Sequence, residues 1–178
     1  MNTDGHPAGG KEEGAMEDTI QMDNTITELI TQVAAVPARL ARAVAGRTAA
    51  ELRAASGDEG WSAGEILAHL RASDDIFSPR AYAILVRDNP PLIAYDERVW
   101  AEVAGYAEAD FAESLAVFAG RRAELVRLLR RAAPEAWQRI GVHEVAGPLT
   151  LAAVITRLAE HEDEHCRQLE TLWSPAHV

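Results

Sequence analysis

The chain has 178 residues, of which 48% are hydrophobic and 6% aromatic, and it carries a net charge of −11. This length supports one domain with a sizeable core and is too short for two ordinary domains. The excess of acidic residues repels phosphate backbones, which argues against nucleic acid as a partner. A single cysteine, Cys166, excludes an intramolecular disulfide and fits a reducing compartment.

The beginning of the chain shows no sign of a targeting segment. Residues 1–16 are glycine-rich and charged, without the apolar core of a signal peptide. No run approaches the roughly 18 apolar residues needed to cross a bilayer, so we expect a soluble cytoplasmic protein with no membrane partner. Residues 1–18 are predicted to form a flexible polar leader, because they have too few apolar residues to pack, and residues 19–175 to form the folded domain.

The first predicted helix carries apolar residues at helical spacing between residues 26 and 44. A threonine and a glutamate at positions 25 and 28 have the spacing of a capping box and predict its start. Gly46 is expected to end it. A second pair of the same kind, Thr48 with Glu51, predicts a short helical turn.

The second predicted helix begins at another capping box, formed by Ser62 and Glu65. Trp61 precedes the cap and Ile66 follows it at the spacing of a hydrophobic staple, which is a structural role. Pro79 is a predicted break in this helix. A proline pair ends it near residue 89, and a looser stretch with several aromatic residues follows.

Two further helices complete the predicted fold. The third begins at Asp110 and ends near Pro134, and the fourth begins at Thr150 and runs to about Trp173. No segment shows a convincing strand pattern. We therefore predict an all-α protein, a four-helix bundle whose connections are too long for tight hairpins, so that its topology need not be simple up-and-down.

Two histidines of the fourth predicted helix lie on its apolar stripe. His161 and His165 occupy positions where the pattern of residues 151–172 calls for buried leucine. A buried imidazole without a hydrogen bond costs about 1–3 kcal/mol, so each ring needs a protein group, water or a metal ion as partner. The i, i+4 spacing places both rings on one helix face, close enough to bind one cation.

A third histidine, His69, lies on the apolar stripe of the second predicted helix. Three inward-facing histidines make an incomplete tetrahedron, because zinc and similar ions in catalytic sites take three protein ligands and keep a fourth position for water or substrate. Zinc, nickel, copper and iron all suit such ligands, and affinity alone does not choose among them.

Several other polar residues have both a functional and a structural interpretation. Arg122 lies on the core stripe of the third helix, where its guanidinium fits a substrate carboxylate or a thiol cofactor, or else snorkels to the helix edge. Glu65 is a possible ligand as well as a capping residue. Glu162 and Glu164 either orient an imidazole and act as a general base or form a solvent-exposed charged run. For each, the structural interpretation is favoured, and Cys166 is expected to be a small core residue.

Three motifs together resemble the DinB-like superfamily. They are GWSAGEILAHL at residues 60–70, GPLTL at residues 147–151 and HEDEH at residues 161–165. The resemblance covers about residues 20–173. It implies a four-helix bundle that holds a divalent metal ion, zinc or nickel, by three histidines, and these match His69, His161 and His165. It also implies a homodimer.

The superfamily includes bacillithiol S-transferases and mycothiol-dependent maleylpyruvate isomerases. The resemblance therefore implies a metal-dependent thiol S-transferase, in which the metal site activates a small thiol for attack on an electrophilic substrate. Two alternatives stay open: a hydrolase that uses water at the open metal position, and a stress protein that binds metal or a ligand without turnover. The sequence fixes neither the thiol nor the substrate.

Overall fold

The computed structural model describes residues 9–54 and 61–173, with side chains described from residue 21 onwards except that of residue 22. The long helices are α1 (Gly9–Ala43), α3 (Ala63–Val86), α5 (Phe111–Arg131) and α6 (Leu151–Thr171). Their connections contain the short helices α2 (Ala49–Arg53) and α4 (Glu97–Val103) and two 3₁₀ turns, Tyr106–Glu108 and Pro134–Gln138. The strands are β1 (Pro91–Leu92), β2 (Ile140–His143) and β3 (Gly147–Thr150).

The four long helices form a bundle in which α1 and α3 each pack against both α5 and α6. This confirms the predicted four-helix bundle. The buried apolar residues form two clusters. The cluster that adjoins the histidines includes Leu40, Ile66, Leu70, Phe118 and Leu169. Among the described residues, no helix is long and apolar enough to cross a membrane.

A small three-stranded sheet lies in the connections, and the expectation that the chain has no strand was wrong. Strand β2 pairs in parallel with β1 and antiparallel with β3. The side chain of Leu92 packs so closely on Gly141 that an added Cβ atom would lie 2.8 Å from it, so this position requires glycine. Strands of two to four residues are too short to show the alternation by which a sequence predicts them.

The predicted caps of α3, α5 and α6 are confirmed. Ser62 and Glu65 form a reciprocal capping box, with the Ser62 N–H donating to Glu65 Oε2 at 2.7 Å and Glu65 N–H donating to Ser62 Oγ at 3.2 Å. Asp110 and Thr150 accept backbone N–H groups at the starts of α5 and α6. The Thr48 capping box at α2 is also present.

Two local expectations for the helices were wrong. Thr25 does not cap α1, because the helix already begins at Gly9 and the Thr25 hydroxyl donates to the Gln21 carbonyl inside it. Pro79 does not break α3, which continues to Val86. The start of α1 lies inside the predicted leader. Residues 1–8 lie outside the described residues, and the division of the chain at residue 18 stays a prediction.

An ionic contact on the surface holds the first and last helices together. Arg39 of α1 donates to Asp163 at 2.6 Å and to Glu170 at 2.9 Å, both on α6. Arg39 is 23% exposed and its two partners are about twice as exposed, so the contact is partly screened by solvent. It helps to fix the register of α6, the helix that carries two of the three candidate metal ligands.

Candidate metal centre

Three histidines from two helices converge at one end of the bundle. His69 comes from the second turn of α3, and His161 and His165 from successive turns of α6. Their ligand atoms all lie within 4.8 Å of one another, and Nε2 of His69 is 2.8 Å from Nε2 of His161. The structure thus brings together all three residues that the sequence analysis singled out.

Burial keeps two of these rings neutral. Desolvation, helped by the other two histidines, lowers the pKa of His69 to about 3. Desolvation and the charge of His165 lower the pKa of His161 to about 4. Without a cation, both imidazoles are therefore uncharged near neutral pH, which is the form whose ring nitrogen can bind a metal ion.

The donor set fits a divalent metal ion. Zinc bound to imidazole nitrogens at about 2.0–2.1 Å in a tetrahedron needs nitrogens about 3.4 Å apart, a spacing these side chains can reach by small rotations. Hydrogen bonds within the cluster explain the three histidines less well than a metal ion does. The Nδ1 atoms of His69 and His161 are buried and have no hydrogen-bond partner among the described residues, so a hydrogen bond between two Nε2 atoms leaves both rings incompletely paired.

Gln168 gives the third ring a defined orientation. Its Oε1 atom lies 2.9 Å from Nδ1 of His165. Since an amide oxygen only accepts, Nδ1 of His165 donates its hydrogen to Gln168, which leaves Nε2 as the ring nitrogen available to a metal ion. Outer contacts of this kind fix the tautomer of metal-binding histidines. The sequence analysis gave Gln168 no role.

Trp61 forms one wall of the cluster. Its ring is parallel to that of His165 with centroids 5.9 Å apart, and it meets His69 edge-on at 5.3 Å. The sequence predicted only a staple with Ile66, and the residue does pack against the core cluster that contains Ile66. Its contact with two histidines was missed, because it depends on how α6 approaches the start of α3.

A cavity of about 270 Å³ opens beside His69. Its lining combines apolar side chains from α3 and α4 with charged side chains of both signs. Glu65 is among the lining residues, but its carboxylate accepts the hydrogen bonds of the Ser62 capping box, as the structural interpretation predicted. Small-molecule sites are concave and mostly apolar with a few polar groups, which describes this cavity.

Arg122 lies in the bundle interior, where it binds two carboxylates. It is 1% exposed, and its guanidinium donates to both carboxylate oxygens of Glu162 and, at 3.0 Å, to Asp74. Burial opposes its charge, but the two carboxylates outweigh that effect and raise its pKa. The preferred snorkelling interpretation was wrong. No bound group tests the predicted cofactor contact, and the buried pairing gives Arg122 a structural role.

The predicted exposure of Glu162 was also wrong. The expectation of a solvent-exposed run holds for Glu164 but not for Glu162, which is fully buried. Burial raises the pKa of the Glu162 carboxyl, and the Arg122 charge acts against that change. A sequence signal existed, because Glu162 lies four residues after Leu158 and four before Cys166, on the same buried stripe. Its buried partner Asp74 was missed altogether.

The sequence contains one cysteine and three further histidines. Cys166 is buried, as predicted, and burial raises the pKa of its thiol to about 11. His143 lies on β2, where its Nδ1 atom accepts the N–H groups of Val145 and Ala146. His6 and His177 are outside the described residues.

Fold and site together define the class: a helical bundle that presents three imidazoles, two of them held neutral by burial, beside a small cavity. A family model described as the DinB superfamily matches residues 32–169. The chain belongs to the DinB superfamily, as its motifs predicted.

The chain is similar over most of its length to proteins whose names describe metal-dependent hydrolases. It is 27% identical over 138 residues to the Bacillus subtilis protein named "Putative metal-dependent hydrolase YfiT", covering 77% of this chain and 78% of YfiT. A protein of Oceanobacillus iheyensis described in the same words is 24% identical over 83% of this chain and 85% of its own length. The solved structure of YfiT, an unusual four-helix bundle, matches with a TM-score of 0.75 and 26% identity over 83% of this chain and 85% of that chain.

Proposed function

We propose that this protein is a metal-dependent thiol S-transferase in which His69, His161 and His165 hold one divalent ion, zinc or nickel. The observation that carries the proposal is the convergence of three imidazole rings, two of them held neutral by burial, beside a cavity. Three histidine ligands leave one position for an exogenous group, as in catalytic rather than structural sites.

A divalent ion in this site would act as a Lewis acid that lowers the pKa of a bound thiol or water. The chain has no reactive thiol of its own, because Cys166 is buried with a pKa of about 11. The nucleophilic thiol is therefore a small molecule. In the reaction its sulfur bonds to an electrophilic carbon, the bond to the leaving group breaks, the leaving group keeps the electron pair, and the thiol proton passes to solvent.

Hydrolysis is the second candidate, and the names of the relatives favour it. YfiT and the Oceanobacillus iheyensis protein are both described as metal-dependent hydrolases. Water would then replace the thiol at the same position. Glu102 and Glu108 line the cavity, and either carboxylate is a candidate general base for activating that water.

The first experiment measures metal content by elemental analysis of protein purified without a histidine tag. We expect about one zinc or nickel ion per chain, lost in the His161→Ala/His165→Ala variant while its helical circular dichroism persists. His143→Ala is the matched control, because His143 lies outside the cluster, and it should retain the metal. A wild-type protein that stays metal-free after incubation with both ions would refute the proposal.

Activity assays then separate the candidate reactions. Thiol transfer is followed with 1-chloro-2,4-dinitrobenzene and a small thiol, in which an S–C bond forms and chloride leaves, and hydrolysis with 4-nitrophenyl acetate. Turnover that requires both metal and thiol supports the transferase. Metal-dependent ester cleavage without thiol supports the hydrolase, and metal binding with neither activity supports a non-catalytic binding protein.

We also propose that the protein pairs as a homodimer, which is the common state in its family. Several large apolar side chains are exposed in the described part of the chain, among them Val99 (54% exposed), Val103 (84%) and Tyr95 (46%) on or near α4. Such residues are enriched at interfaces between copies of a chain. Light scattering coupled to size-exclusion chromatography tests this, and a monomer at all accessible concentrations would contradict it.

A further inference from the structure

The cavity beside His69 is lined by side chains of opposite charge that do not form ion pairs with one another. Arg98, Glu102 and Glu108 all line it, together with the apolar groups of Trp61 and Ala68. Arg98 and Glu102 are four residues apart on α4, a spacing at which opposite charges on a helix usually pair. Among the described residues, however, neither of these two side chains lies in an ion pair.

Arg98 contacts Trp61 instead of Glu102. The Arg98 guanidinium lies 5.3 Å from the centroid of the Trp61 ring, in a cation–π contact. This contact holds the positive charge at the tryptophan wall and leaves the guanidinium N–H groups free to donate to a ligand. The carboxylates of Glu102 and Glu108 supply negative charge to the same cavity.

Arg98 is also close enough to the histidine cluster to influence it. The Trp61 ring that it covers is itself in contact with His69 and His165. Arg98 and His69 also line the same cavity. A ligand held by Arg98 would thus lie next to the proposed metal centre.

The segment that carries these charges is anchored to α3. Asp75 of α3 accepts hydrogen bonds from Trp100 Nε1 at 3.3 Å, from the Tyr106 hydroxyl and from Arg121 of α5. Trp100 belongs to α4 and Tyr106 to the 3₁₀ turn that follows it. A charged cavity wall that is fixed in this way can select ligands by the positions of their charges.

We propose that this cavity binds a zwitterionic ligand, whose carboxylate contacts Arg98 and whose ammonium group contacts Glu102 and Glu108. The ligand class is an α-amino acid or a small molecule that carries one. A guanidinium binds a carboxylate through two parallel hydrogen bonds, which fixes its orientation as well as its position. The proposal rests on the proposed function in one respect: the ligand is taken to be the thiol or the substrate of the metal centre.

The test compares three aliphatic probes of similar size by isothermal titration calorimetry with the full-length protein. L-norleucine carries both charges, hexanoate only the carboxylate and pentylamine only the ammonium group. We expect norleucine to bind at least about tenfold more tightly than either single-charge probe. The titrations are repeated on protein treated with a chelator, because an amino acid can also coordinate a metal ion directly.

Charge-removing variants assign each half of the ligand. Arg98→Gln should weaken norleucine and hexanoate about tenfold and leave pentylamine unchanged, and Glu102→Gln/Glu108→Gln should weaken norleucine and pentylamine and leave hexanoate unchanged. Arg127→Gln is the matched control, because Arg127 is 67% exposed on α5 and does not line the cavity. It should change none of the three affinities.

The outcomes separate this proposal from the proposed function. Equal affinity for all three probes, or loss of pentylamine binding in Arg98→Gln, would overturn the zwitterion site even if the metal binds normally. Selective norleucine binding by chelator-treated protein would support it even if no metal were found in the purified protein. Norleucine binding only in the metal-loaded protein would overturn it, because the probe would then be a ligand of the metal.

Discussion

Gln168 determines how one imidazole faces the candidate metal centre. Its amide oxygen is 2.9 Å from Nδ1 of His165 and accepts the hydrogen bond of that ring. Among the described residues, the Nδ1 atoms of His69 and His161 have no such acceptor. His165 is therefore the ring of the three that has such an acceptor, and this contact orients it together with the parallel ring of Trp61.

Replacing Gln168 should weaken metal binding without unfolding the bundle. Gln168→Leu removes the acceptor, frees the His165 ring to rotate and should lower zinc affinity about 10–100-fold, as loss of such outer contacts typically does. Competition with a chromogenic chelator measures this affinity. Gln168→Glu keeps an acceptor at the same distance and should retain most of it. Equal losses in both variants would show that the contact is not what orients the ring.

Among the elements, helix starts were predictable and strands were not. The caps at Ser62, Asp110 and Thr150 were found because a capping residue and its partners lie within four residues of each other. The same local pattern misled at Thr25, which lies inside a helix that begins earlier. Strand β1 pairs with β2 across about 50 residues of sequence. A two-residue strand is too short to carry a local pattern that predicts such a pairing.

The candidate site was predicted to the extent that it depends on helix faces. The three histidines were found because each occupies an apolar position of its own helix. The ion cluster of Arg122, Glu162 and Asp74 was missed because its members lie on α5, α6 and α3, and only the packing of those helices brings them together. The position of Glu162 on the apolar stripe indicated burial. Because Glu162 is next to His161, it was interpreted instead as a group that acts on the metal site or as part of an exposed charged run.

This ion cluster joins three helices of the bundle, and removing its cation should be costly. Arg122→Met leaves Glu162 and Asp74 buried without a positive partner, which should lower the free energy of unfolding by about 3–5 kcal/mol. Urea denaturation followed by circular dichroism measures the change. Arg39→Met is the matched control: it also breaks contacts with two carboxylates, but at the surface, and should cost about 1 kcal/mol or less. Similar losses in the two variants would contradict the buried role.

At the scale of the whole molecule, the buried neutral histidines make stability depend on pH. The pKa values of His69 and His161 are lowered to about 3 and about 4, whereas an unfolded histidine titrates near 6.5. Between these values the unfolded chain binds more protons than the folded one, so stability is full above pH 6.5 and falls as the pH decreases. Carboxylates with lowered pKa values, such as Glu51 at about 2, lose their contribution only at lower pH.

The metal-free protein should therefore lose stability between pH 7 and pH 4.5, before the carboxylates with lowered pKa values titrate. We expect a fall of about 2 kcal/mol in the free energy of unfolding, after allowance for the solvent that reaches both rings. Urea denaturation in the presence of a chelator, at a series of pH values, measures it. The His69→Gln/His161→Gln variant keeps the side chains polar but cannot take up protons at these two positions, so its profile should be clearly less steep over that interval. A wild-type profile no steeper than that of the variant would mean that the two rings take up protons in the folded protein as they do in the unfolded chain, so that burial does not keep them neutral.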